Sequence, residues 1–166
     1  KGIPSVVYGA NTIAGVLNIN SKSYRGNSAR LSVQIGENGN QNYSGHLIDG
    51  NDKISYLVSG SYRNSDTYNL PGSFNSPDNP GSTRINSYLK SFSVFTKMDY
   101  NYNESSIISI SANFIDSKKG VPPEIDVSNP RYWQYPEWRK YGLSISGAHN
   151  FNSGLKSLLS YSFSAY

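Results

Sequence analysis

KGIPSVVYGANTIAGVLNINSK, residues 1–22, is the stretch on which the reading of the fold turns. It lacks the alternation that runs through the rest of the chain. Gly2, Gly9, Gly15 and Pro4 interrupt it, and its apolar residues fall into order only at Val16-Leu17-Asn18-Ile19. Glycine reaches positive φ and lets other backbone approach closely, so this density of glycine suits a segment folded into a confined place. By composition alone it is equally an ordinary turn-rich lead into a strand.

Outward from that stretch the chain becomes regular. After the polar residues 23–28, seven segments alternate apolar and polar side chains with a period of two, which marks β-strands with one apolar and one polar face. The first carries Leu31, Val33 and Ile35 against Ser32 and Gln34. A second, weaker one spans residues 43–48 and contains Gly45 and His46. The third sets Ile54, Tyr56, Val58, Gly60 and Tyr62 against Ser55, Leu57, Ser59 and Ser61. The fourth sets Phe92, Val94, Met98 and Tyr100 against Ser91, Ser93, Lys97 and Asp99, and the fifth Ile108, Ile110, Ala112 and Phe114 against Ser109, Ser111 and Asn113. Leu143, Ile145 and Gly147 mark the sixth, and Leu159, Tyr161 and Phe163 the seventh.

The connections sort by length. DGNDK (49–53), NYNE (101–104) and FNSG (151–154) are tight, and all fall at the end of the sheet from which the first strand starts. At the other end lie two long Pro-rich stretches, predicted as loops over residues 64–84 and 117–140; GENGN (36–40) is the short exception. Short turns at one end and long loops at the other, with strands of about nine to thirteen residues, are the pattern of a tilted outer-membrane barrel wall. Composition agrees: only 36% of residues are hydrophobic, 14 are Tyr, and the polar faces are mostly Ser and Asn. Such a wall needs apolar residues only at alternate positions, and Tyr suits a membrane–water interface. A Tyr- and Asn-rich secreted β-domain that binds sugars has a similar composition.

Chemistry-bearing residues are sparse. The absence of Cys excludes thiol catalysis, disulfides and Cys-ligated metals. The net charge of +4 comes from scattered residues, which does not suit a nucleic-acid-binding face. His46 and His149 lack metal or catalytic spacing, and Asp116, Glu124 and Asp126 read as solvated loop carboxylates. No enzyme activity, metal or cofactor is expected. The candidate ligand contacts are in NPRYWQYPEW (129–138): Tyr132, Trp133, Tyr135 and Trp138 offer flat faces for stacking, and Arg131 and Arg139 offer forked donors for carboxylate or phosphate. The same aromatics could equally anchor the loop to a rim or form an interfacial belt.

Residues 2–11 (GIPSVVYGAN), 13–19 (IAGVLNI) and Ser21-Lys22 resemble the last segment of the plug domain of TonB-dependent outer-membrane receptors, with its Tyr-Gly pair, small-Gly pair, apolar-Asn-Ile strand and Ser-Lys exit. The match is inexact. Pro4 stands one place later than usual, Thr12 replaces a common Ala, and Ala14 replaces the first of two glycines. The resemblance implies an all-β chain: the plug end at 1–22, a linker at 23–28, and from 29–166 the first seven strands of a transmembrane antiparallel barrel of about 22 strands. Tyr8, Gly9, Gly15 and Asn18 would be its structural plug-end motif. It further implies residence in the bacterial outer membrane and active import of a scarce, bulky nutrient: a ferric siderophore, haem, cobalamin or glycan. The partners would be outer-membrane lipid, the transported ligand, and the TonB complex acting on a segment outside this sequence. A plug-less barrel or a soluble carbohydrate-binding domain are the competing expectations.

Overall fold

The computed structural model describes residues 26–74, 83–124, 127 and 129–166. The proposed plug-end residues Tyr8, Gly9, Gly15 and Asn18 lie outside them. Seven strands follow one another: β1 (Ser28–Ile35), β2 (Gln41–Gly50), β3 (Ile54–Ser65), β4 (Leu89–Asn103), β5 (Ser106–Val121), β6 (Trp133–Asn150) and β7 (Lys156–Ala165). Each pairs antiparallel with the next, giving one open meander in the order β1 to β7. Among the described residues the fold is therefore all-β, and the sheet does not close on itself.

The register explains the alternation. Cross-strand partners share a face, so the pairs Leu31–Gly45–Gly60–Val94–Phe114–Tyr141 form one row of a common face. Leu47–Val58–Thr96–Ala112–Leu143–Phe163 form the next. The opposite face carries rows such as Ser44–Ser61–Ser93 and Ser55–Asp99–Ser109–Ser146–Ser160. Every face assignment read from the sequence for β3 to β7 holds.

The exposure of the two faces is inverted relative to a water-soluble sheet. Along β3, Ile54, Tyr56 and Val58 are exposed while Ser55, Leu57 and Ser59 are half-buried. On β6, Leu143 and Ile145 are likewise exposed and Ser144 and Ser146 half-buried, whereas on the edge strand β7 both faces are exposed. Among the described residues no hydrophobic side chain other than that of Pro123 is buried. A sheet that buried its apolar face in a protein core would show the reverse.

Aromatic side chains cross the apolar face in an oblique line: Tyr43, Tyr62, Phe92, Phe114, Tyr141 and Phe163, stepping down one row between β4 and β5 and again between β6 and β7. Neighbouring rings touch within it. Tyr43–Tyr62 and Phe92–Phe114 centroids lie 6.3 Å apart and Phe114–Tyr141 5.1 Å. Tyr56 and Tyr100 stand nearer the opposite end of their strands.

The turns joining β2–β3 (51–53), β4–β5 (104–105) and β6–β7 (151–155) are tight and lie at one end. Asn51 closes the first by accepting from the N–H groups of Lys53 and Ile54, each at 2.9 Å. At the other end, Asn38 and Gly39 both take positive φ (55° and 67°) in the β1–β2 turn, as the Asn-Gly signal foretells. The long connections are 66–88 and 122–132. The second is shorter than the 117–140 expected. β5 runs on to Val121 and β6 begins at Trp133, because the aromatic residues read as loop anchors are also strong strand formers. Pro136 does not stop β6. The register shifts between Ser117–Trp138 and Lys119–Tyr135, so Pro136 and Glu137 together oppose Lys118 in a β-bulge, where a missing N–H is tolerated.

Candidate functional site

The long-loop end holds the densest side-chain architecture. The first connection folds over the extended β5–β6 hairpin and clamps it. Asn86, at φ 55°, donates through Nδ2 to the carbonyls of Val121 (2.7 Å) and Trp133 (2.9 Å), and its Oδ1 accepts from Gln134 Nε2 at 3.3 Å. The N–H of Gly120 donates to the Tyr88 carbonyl at 3.0 Å. Arg84 is buried, and its guanidinium donates to the carbonyl of Pro123, itself fully buried. The Arg84 carbonyl accepts from Thr67 Oγ1 (2.7 Å) and Ser87 Oγ (2.6 Å). The sequence offered no periodic signal for Arg84 or Asn86, because both lie in the Pro- and Gly-rich stretch between strands.

Beneath the clamp opens a pocket of about 360 Å³ lined by residues 121–124 with Arg131, Trp133 and Tyr135. Three of the six candidate ligand contacts thus meet there. Tyr132 is exposed beside the pocket but does not line it. Trp138 lies farther along β6, on the same polar face as Tyr135 because of the bulge. The Lys119 ammonium stands over both rings, 5.1 Å from the centroid of Tyr135 and 5.5 Å from that of Trp138. Trp133, Tyr135 and Trp138 are therefore strand residues, not loop-tip residues. Arg139 points to the other face, with Asp116 at 3.6 Å and Glu137 at 2.5 Å, so it does not join Arg131.

Glu124 is held by backbone donors: its own N–H and, next, the N–H of Arg131, which lies 3.2 Å from Glu124 Oε2. These hold its carboxyl below the ordinary glutamate range. Asp116 and Glu124 are thus engaged separately, Asp126 lies outside the described residues, and no metal-sized cluster of ligating side chains occurs among the described residues. His149 Nδ1 lies 2.7 Å from Ser106 Oγ, with its ring edge-on to Phe151, and His46 sits opposite Arg30 in the register of β1 and β2.

A larger cleft, about 480 Å³, lies on the polar face over β1–β5 and is lined by Arg30, His46, five serines, Phe95 and Asn113 among others. Its lining mixes serine hydroxyls, the Asn113 amide and the Arg30 guanidinium with apolar surface from Val94, Phe95 and Ile115. No family model, no curated protein and no solved structure matches this chain.

Proposed function

We propose that this chain is the plug end and first barrel-wall segment of a TonB-dependent outer-membrane receptor, which imports a bulky nutrient and does no catalysis. The observation that carries the reading is the inverted exposure of the sheet: Ile54, Tyr56, Val58, Leu143 and Ile145 are exposed while the serines between them are half-buried. Lipid is the solvent for which such a face is suited, with the hydroxyl-rich face turned to an aqueous lumen. The oblique aromatic line fits an interfacial girdle, since tilted strands place residues of equal depth on different register rows. The grading of connections, tight at one end and long at the other, adds a second support, and residues 1–22 add the third through their plug-end pattern.

On this reading β1 and β7 pair with further strands of a larger barrel, which removes the edges that an isolated meander exposes. The pocket at Arg131, Trp133 and Tyr135 lies at the outer rim as a first ligand contact. TonB acts elsewhere on the receptor to remodel the plug, and the ligand passes along the polar face. The test is fractionation of cells producing the full-length protein, with electrophoresis before and after heating. Outer-membrane location with a heat-modifiable band supports the proposal; a soluble protein of unshifted mobility overturns it.

A further inference from the structure

The apolar face changes character just beyond the aromatic line, on the side of the long loops. Across β3 and β4 that line runs through the register pair Tyr62–Phe92, and the next row carries Asn64, Lys90 and Lys118. Lys90 and Lys118 stand directly opposite each other on β4 and β5, and both are exposed. Like charges set opposite each other in a sheet repel. Neither lysine forms an ion pair among the described residues. The carboxylates that β5 and β6 bring to this end of the face, Asp116 and Glu137, both go to Arg139, at 3.6 Å and 2.5 Å.

Both lysines line one cleft of about 200 Å³, together with Tyr62, Phe92 and Asp116 and with Ser91 and Ser117 between them. By their rows, the two lysines stand on the long-loop side of this cleft and the two rings on the side toward the middle of the apolar face. Cationic groups at one side and aromatic surface at the other suit an amphiphile, whose phosphate meets the lysines while its acyl chain runs down over the rings. A free phosphate would gain nothing from Tyr62 and Phe92. An aromatic belt marks the headgroup level of a bilayer, and lysine stems lie along apolar surface while keeping their ammonium groups at that level. Two ammonium groups held opposite each other can share one phosphate in charge-assisted hydrogen bonds, which also relieves their mutual repulsion.

We propose that the Lys90–Lys118 cleft holds the phosphate headgroup of an anionic lipid in the leaflet at the long-loop end. The proposal rests on the barrel-wall reading, because it needs the apolar face to meet lipid. It is tested on the full-length protein with a bimane label on Tyr62→Cys, reconstituted in phosphatidylcholine vesicles that contain a minor fraction of lipid with brominated chains, which quench the label on contact. Brominated phosphatidylglycerol should quench more strongly than brominated phosphatidylcholine. Lys90→Gln and Lys118→Gln should each lower that preference by about fivefold, the effect of one cation at an anionic headgroup. Lys140→Gln, the same loss of charge opposite Ile115 on the polar face, should leave it unchanged. Inorganic phosphate should reduce the preference no more than sodium chloride of equal ionic strength. Equal quenching by the two headgroups, an equal loss in Lys140→Gln, or specific displacement by inorganic phosphate overturns the lipid site and leaves the wall reading standing. No quenching by either brominated lipid, in protein that still gives the heat-modifiable band, overturns the wall reading and the site with it.

Discussion

Ile110→Arg separates a lipid-facing wall from a sheet with water on both sides. Ile110 lies on the apolar face, opposite Met98 and Ile145, and is 37% exposed. On β4 beside it, Phe92 belongs to the aromatic line and Tyr100 lies toward the tight-turn end. These two are about 27 Å apart along the strand at ~3.4 Å per residue. At a tilt of about 45° that is about 19 Å of depth, within the ~25 Å height of an apolar barrel band. On β5 the aromatic line passes through Phe114, and Ile110 lies four residues from it toward the tight-turn end, about 14 Å along the strand or ~10 Å of depth, near the middle of that band. An arginine there costs about 2–4 kcal/mol in a bilayer, a roughly 30- to 700-fold fall in the folding equilibrium. Ser111→Arg, one residue along on the half-buried polar face and opposite Lys97, should cost about 1 kcal/mol. Urea titration of the full-length protein in lipid vesicles, scored by the heat-modifiable band, measures both. If Ile110→Arg costs no more than Ser111→Arg, the apolar face does not meet lipid and the reasoning fails.

Three further outcomes follow from the long-loop end. A Cβ on Gly120 would come within 2.4 Å of the Asn86 carbonyl oxygen, so Gly120→Ala should destabilise the clamp by about 1–3 kcal/mol, seen as faster protease nicking within residues 122–132 while the heat-modifiable band persists. Asn86→Ala removes two hydrogen bonds to the Val121 and Trp133 carbonyls and should loosen the same loop by about 1–2 kcal/mol, measured by hydrogen exchange of residues 120–134. Because the folded Glu124 carboxyl is held below its unfolded value, its contribution is present above the unfolded value and is lost as pH falls through the lower, folded one. A fluorophore on Tyr132→Cys should report loop opening below the ordinary glutamate range, and Glu124→Gln should abolish that transition.

The strands were legible in the sequence because a period of two survives wherever one face is apolar and the other is not. Face assignments on β3 to β7 follow from Ile54 to Phe163 without any tertiary information. The upper ends of β5 and β6 were not legible: Pro122, Pro123, Pro130 and Pro136 signal loop, and only pairing shows that Pro136 can occupy a bulge opposite Lys118. That bulge also places Tyr135 and Trp138, three residues apart, on one side of Lys119, which alternation forbids. Arg131, Trp133 and Tyr135 were identifiable as contact candidates by residue type alone. Arg84 and Asn86 were not, since their importance comes from the β5–β6 carbonyls they reach across the sheet end.

The most direct test of the central claim is the environment of alternate residues on adjacent strands of the full-length protein in lipid vesicles. Nitroxide labels at Val58, Thr96, Ile110 and Leu143, and at Leu57, Lys97, Ser111 and Ser144, would be relaxed by oxygen, which concentrates in lipid, and by a water-soluble nickel chelate. The account predicts that the first set responds to oxygen and is shielded from nickel, with the second set the reverse of it. Nickel reaching both sets equally would contradict it.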